Sequence, residues 1–495
     1  MLLIKKLWLI VALLGWGAVF PGIICAAQGD AQAGNPPATT PSGTAGGSGQ
    51  TTSNQPSASG SQETSTSSMM APLTGAFVLT PGIPGVANSY VVPTFGYTGY
   101  ADTNPTGYSS GAGGGVALQS TYNGSLDLQL IQRHAQFNLK YAGGAFFYSD
   151  QLSNATIPTT PFGTFQQLGV FEQVNTRHWK WTLGDEFMYL PEMPNGFFGF
   201  GGLSSFGSGM GGSAMSYSPS WGSAFSPTQA ILTGQANRIS NSALTQLEYD
   251  PSARSSFTAT ASYGTLQFLE PGFIDNRYWV INAGYNYRIS SKDEIGISYA
   301  HYYFKYNGSF EGVLNRGFSV LYGHQITGRL SLQLSLSPLV NQIAQPLGGA
   351  STKAFVGTYD SLQYKAAKWD AAVSFDRMTQ GGSGVVAGAE TDWLSGNFGW
   401  QLSRKIRATL HGSHSYTQSL EEESSQVSRS KFEYWQAGFE LTREFGRHIS
   451  MYVNYYFQRQ TSNTAVCNGT NCSDHTLRQV GGVGINWHSQ PIRID

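Results

Sequence analysis

From about residue 89 to residue 487 the chain repeats one unit: an alternating apolar–polar segment, a tight turn, a second such segment, and a longer polar loop. Each segment runs about ten residues, the length a tilted strand needs to cross a bilayer core. Side chains on a strand point alternately to opposite faces, so each segment has one apolar and one polar side. In 329–338, Leu330, Leu332 and Leu334 alternate with Ser331, Gln333 and Ser335. In 446–458, Ile449, Met451, Val453, Tyr455 and Phe457 alternate with Ser450, Tyr452, Asn454, Tyr456 and Gln458. After the N-terminal region no stretch offers about 18 uninterrupted apolar residues, so a membrane-inserted chain of this kind crosses with strands. A sheet in lipid cannot leave an edge unpaired. The expected fold is therefore all-β: a transmembrane antiparallel up-and-down β-barrel.

Further segments follow the same rule: 125–132 with 136–148, 165–174 with 179–189, 242–249 with 255–263, and 277–289 with 293–304. Then come 317–326 with 329–338, 354–364 with 368–378, 393–402 with 405–418, and 430–443 with 446–458. A first segment at 89–100, which contains Pro93, and a last at 475–487 close the series. The tally is about 18 strands, with 16 as the alternative, and both counts are even, as both termini on the periplasmic side require. Turns within pairs are short, as at Thr327-Gly328, Ser403-Arg404 and Glu444-Phe445, and loops between pairs are longer. Outer-membrane barrels show this asymmetry. Charged residues are only 12%, about half the usual soluble share. The mean hydropathy of -0.21 fits a wall in which only alternate residues meet lipid. Trp179, Trp181, Trp279, Trp369, Trp393, Trp400, Trp435 and Trp487 fall near segment ends, where interfacial girdles sit.

The N-terminus reads as a secretory signal over 1–27. Lys5 and Lys6 precede an apolar run over 7–20, and Cys25-Ala26-Ala27 supplies small residues for cleavage. Residues 28–84 are rich in Gly, Ser, Thr, Pro and Gln, with no charged residue from 31 to 62. That composition is expected to form a disordered linker. The barrel is assigned to 85–495. A long Gly/Ser/Phe-rich loop over 190–237 is open to two readings, an inward constriction or a surface loop.

Charges on the polar face are the pore-lining candidates: Asp127, Lys140, Lys180, Glu186, Glu248, Asp370, Asp376, Arg407, Glu440 and Arg478. Opposing charges in a pore set ion selectivity; alternatively they pair across strands and stiffen the wall. Asp185 falls on the otherwise apolar face of Trp181, Leu183 and Phe187. A carboxylate there calls for a bulge, an interfacial position or a protomer contact. His411 and His414 are three apart on a strand and so point to opposite faces, which argues against a shared metal. His301 and His324 fall on neighbouring segments without a carboxylate or thiol to complete a ligand set. No local nucleophile motif marks a catalytic centre, so no enzyme, metal or cofactor is expected. Cys467 and Cys472 flank Asn-Gly-Thr-Asn in the last outer loop, and a disulfide closing that loop is expected. The formal net charge of -1 gives no footprint for nucleic acid.

Leader, spacer, hairpin series and closing strand together resemble Gram-negative outer-membrane porin-like proteins. The run Gly482-Val483-Gly484-Ile485-Asn486-Trp487 is similar to the closing signal read by the barrel assembly machinery, although here the chain continues to Asp495. The runs Gly184-Asp185-Glu186-Phe187 and Tyr189-Leu190-Pro191-Glu192 resemble uncharacterised barrels of acidobacterial type. The resemblance implies the bacterial outer membrane as location. It implies outer-membrane lipid, lipopolysaccharide and the assembly machinery as partners, and leaves a homo-oligomer open. The expected function is passive diffusion of small hydrophilic solutes. The alternative is a structural or surface-interaction barrel with an occluded lumen and no transport.

Overall fold

A computed structural model describes residues 73–74, 88–104, 116–151, 162–192, 235–307, 312–344, 350–381, 384–420, 429–468 and 471–494, without the side chains of 149–151, 190–192, 235–236 and 464–473. The leader, most of the linker and the greater part of the 190–237 loop lie outside the described residues. In chain order the strands are β1 (Tyr90–Asp102), β2 (Ala117–Ile131), β3 (Ala135–Gln151), β4 (Phe162–Asn175), β5 (Trp179–Glu192) and β6 (Gln235–Ser252). They continue as β7 (Ser255–Phe268), β8 (Asn276–Arg288), β9 (Asp293–Tyr306), β10 (Gly312–Thr327), β11 (Leu330–Ala344) and β12 (Ala350–Lys365). The last are β13 (Trp369–Gln380), β14 (Ala389–Ser403), β15 (Ile406–Ser419), β16 (Lys431–Phe445), β17 (Ile449–Asn468), β18 (Asn471–His488) and the two-residue β19 (Ile492–Arg493).

From β1 to β18 each strand pairs antiparallel with the next in sequence, and β1 also pairs β18, which closes an 18-stranded ring. Closure satisfies each strand on both sides, which lipid demands because it offers backbone groups no water. The seam is finished by β19, whose Ile492 and Arg493 pair Val91 and Tyr90. Residues beyond the closing signal therefore extend the same seam. Pro93 is accommodated at this point. It falls between Thr94, paired with His488, and Val91, paired with Ile492. A proline lacks the N–H for a ladder bond, and here it stands opposite the break between β18 and β19. Its carbonyl still accepts from the Ser489 N–H at 3.2 Å.

Alternation sorts the wall into two faces. In β17 and β18 the outward residues Met451, Val453, Tyr455, Val483, Ile485 and Trp487 are exposed, while Ser450, Tyr452, Asn454, Gln458, Arg478 and Asn486 are buried. The exposed face is the apolar one, the reverse of a soluble sheet, and it is stabilised by lipid contact rather than by water. Aromatic residues gather at two heights. Trp179 stacks near Tyr249 (4.4 Å between centroids), Tyr364 near Trp369 (4.3 Å) and Phe95 near Trp487 (5.9 Å), all at the short-turn end. Trp279 with Tyr303 (4.5 Å) and Trp435 with His414 (4.1 Å) mark the other end. Trp393 departs from the girdle expectation: it is 3% exposed and faces inward. Parity decides this, since in β14 the buried positions are the odd ones, Thr391 and Trp393, and the exposed Leu394 and Trp400 are even.

The 18 strands of the ring run from 12 residues in β13 to 20 in β17, more than the 9–11 or so that a bilayer requires. Short turns set one rim level, so the excess projects at the long-loop end. The turn expected at Glu444-Phe445 falls slightly later, at 446–448. Gly446 takes φ 77°, a conformation that favours glycine, and Glu444 and Phe445 stay in β16.

Candidate functional site

The barrel interior is where polar side chains converge. All ten charged candidates lie on the inward parity of their strands, and four cross-strand pairs form among them and a further carboxylate. Lys140 Nζ lies 3.5 Å from Asp127 Oδ2, and Lys180 Nζ 3.3 Å from Glu248 Oε2. Arg407 Nη2 lies 2.7 Å from Asp370 Oδ1, and Arg478 Nη2 2.6 Å from Asp102 Oδ2. Asp127 is directly opposite Lys140, and Lys180 directly opposite Glu248, in the strand register. Sequence reading missed Asp102, the last residue of β1. The Arg478 guanidinium donates to it from both Nε (3.0 Å) and Nη2 (2.6 Å). Both side chains are almost fully buried, at 2% and 0% exposure, so each charge depends on the other. Among the described residues, no salt bridge reaches Glu186, Asp376 or Glu440. Glu186 accepts from Gln167 Nε2 at 3.2 Å and Glu440 from the Thr442 hydroxyl at 2.9 Å.

The inner wall is not uniformly polar. Towards the long-loop end of β8 to β11 it carries Tyr278, Val280, Ala300, Phe304, Tyr306, Val313 and Ile343, which form one buried cluster with Ala387 and Leu420. Ala387 belongs to the segment between β13 and β14, so that outer loop folds inward onto the apolar patch. Val385 and Val386 extend the contact to Ala389 and Phe432. Backbone bonds fix the segment at both ends. Ile274 N donates to Gly384 O (2.8 Å), and Leu420 N to Gly388 O (3.1 Å). Asn276 Nδ2 reaches Gly381 O at 3.4 Å. β8 and β13 are five strands apart in the ring, so the bonds from Ile274 and Asn276 tie distant sectors of the wall across the interior. Gly384 and Gly388 take φ 85° and 80°, and a Cβ at Gly384 would stand 2.3 Å from the Phe268 ring.

Elsewhere aromatic rings lie flat on the wall. Tyr452 covers Gly484, where a Cβ would stand 2.2 Å from the ring, and its hydroxyl bonds the Thr98 hydroxyl. His411 packs beside Tyr456, with centroids 5.5 Å apart. His414 does point to the opposite face, where its Nε2 lies 3.2 Å from Glu433 Oε1. His301 stands level with Arg316 and His324 level with Asp293, so the two histidines are at different heights.

Asp185 faces lipid in mid-strand without a bulge, since β4 and β6 pair it in register with Val170 and Ala243. Its Oδ1 accepts from Asn241 Nδ2 at 3.2 Å, a local partner that lowers the cost of an outward carboxylate. At the outer rim, between β7 and β8, partial burial holds the Glu270 carboxyl above its ordinary range against hydrogen bonds from Asn237. Cys467 and Cys472 are cross-strand partners in the β17–β18 register.

No family model matches the chain, and no curated protein matches it. Solved structures similar to it include a BenF-like porin from Pseudomonas fluorescens Pf-5, at 10% identity and a TM-score of 0.41, covering 83% of this chain and 100% of that one. OccK2 (OpdF) of Pseudomonas aeruginosa gives 11% identity, a TM-score of 0.40, and 81% and 97% coverage. OccAB3 of Acinetobacter baumannii gives 8%, 0.39, and 82% and 100%.

Proposed function

We propose that this chain is an outer-membrane channel for passive diffusion of small hydrophilic solutes, narrowed from within. The observation that carries this reading is the ring itself: 18 strands closed without an edge, with the polar parity turned inward. A ring of that size encloses more than its own side chains fill. The four ion pairs cancel charge locally and stiffen the wall. Glu186, Asp376 and Glu440 are then the carboxylates that bias a permeating ion, toward cations. A second reading, a barrel with an occluded lumen and no transport, draws support from the inward fold of residues 384–388.

Single-channel recording of the purified protein in a planar bilayer tests the two. Steady ohmic steps support the channel. Silence from a barrel shown to be folded by its heat-modifiable mobility supports occlusion. Changing Glu186, Asp376 and Glu440 together to Gln, Asn and Gln is expected to move the reversal potential toward anions. An unchanged potential takes these residues out of the ion path.

A further inference from the structure

Leu73 and Thr74 belong to the stretch that composition assigns to the linker, yet they sit inside the barrel. Leu73 is 6% and Thr74 0% exposed. Thr74 is held on every polar group it has. Its N–H donates to Asn286 Oδ1 (3.0 Å), and Asn286 Nδ2 returns a bond to its hydroxyl (2.7 Å). Asn282 Nδ2 donates to its carbonyl (2.7 Å), and its hydroxyl meets the Thr258 hydroxyl at 2.7 Å. The Leu73 N–H bonds the Glu294 carboxylate. A backbone strand partner would satisfy two of these groups; here side chains of β7, β8 and β9 satisfy them all.

The floor beneath the dipeptide is glycine. Added Cβ atoms at Gly284 and Gly296 would stand 2.4 and 2.9 Å from Thr74, and one at Gly323 would stand 3.1 Å from Leu73 Cδ2. These glycines occupy inward positions on the three adjacent strands β8, β9 and β10. Glycine inside a strand weakens it and often marks close approach of another backbone; the docked dipeptide accounts for this pad. The pad lies at the short-turn end, since Asn286 is two residues from the end of β8 and Glu294 is the second residue of β9. The next described stretch begins at Asn88 and leads into β1, which is seven strands from β8 in the ring. A ring of this strand number, spacing and tilt is roughly 36 Å across. The 13 residues from 75 to 87 can reach about 43 Å or more.

We propose that the dipeptide Leu73–Thr74 is itself an intramolecular plug contact. The pad of Thr258, Asn282, Gly284, Asn286, Gly296 and Gly323 is its receptor, and the seated dipeptide narrows the lumen at the short-turn mouth. Seating stands apart from conduction; the narrowing rests on the channel reading above.

The test is a full-length chain carrying Thr74→Cys and Thr258→Cys, with Cys25, Cys467 and Cys472 replaced by Ser. Oxidation in outer-membrane fractions is expected to link residues 74 and 258, detected by mass spectrometry of the folded, heat-modifiable species. Single-channel steps are expected to be small when linked and to grow on reduction together with Leu73→Asp. Gly284→Phe, which fills the pad from the wall side, is expected to abolish the link and enlarge the steps in a barrel that still folds. Absence of the link in folded wild-type-pad barrels overturns the seating. A link with equal conductance in every variant overturns the narrowing. A link with no conductance in any variant keeps the seating and overturns the channel reading.

Discussion

Individual residues show how this wall handles polar groups. The buried pair Arg478–Asp102 joins β18 to β1 across the closing seam. Removing one partner leaves an uncompensated charge, which costs about 3–5 kcal/mol in buried settings. Asp102→Ala is therefore expected to lower the unfolding midpoint in denaturant far more than Arg377→Ala, whose ion pair with Asp392 is exposed on both sides. Equal midpoints would show that the seam pair contributes little. Gly484 makes a different point. A side chain there meets the Tyr452 ring, and overpacking of this sort costs about 1–3 kcal/mol. Gly484→Val is expected to destabilise the folded barrel by that order, whereas Gly481→Val, with open space around it, is expected to be close to neutral.

Among elements, the inward segment 384–388 was not legible in advance. Its sequence reads as an ordinary Gly-rich outer loop. The apolar residues that receive it, such as Tyr278, Phe304 and Val313, are spread over separate strands whose registers had to be known first. The sequence marks 190–237 as the conspicuous loop instead, because length is visible in sequence and docking is not. Val386→Asp puts a charge into the buried contact with Phe432 and is expected to release the segment. Larger or noisier single-channel steps are the predicted readout, and unchanged steps would place the segment outside the permeation path. Strand limits were legible only where a turn residue marked them. β11 runs through Pro338 to Ala344 instead of stopping there. Its ladder with β10 skips from Leu339 to Leu336, so the missing N–H falls in a break.

For the whole molecule, the two rims make a topological prediction. Short turns at 404–405 and long loops such as that after Leu420 lie at opposite ends. In a Cys467→Ser, Cys472→Ser background, Arg404→Cys is expected to resist a membrane-impermeant maleimide in intact cells. Ser430→Cys, just before β16, is expected to react. The reverse pattern would invert the barrel. The wild-type chain is expected to stay unreactive at Cys467 and Cys472 until reduced, if their cross-strand register carries the proposed disulfide.

The sequence by itself determined the architecture, because period-two alternation and the short-turn, long-loop rhythm are local properties that a barrel in lipid must write into every strand. It also placed the ten inward charges on their face, since parity along a strand is local. Tertiary structure alone decided which charges neutralise each other, that Asp102 completes the seam, and that residues 384–388 fold inward. The seat of Leu73–Thr74 belongs with these. Its one sequence trace is the apolar run of Met69 to Leu79 within a polar spacer, and its receptor is assembled from three strands. These contacts join residues 212 positions apart at the seat and 376 apart at the seam, and only ring closure and register bring them to one height.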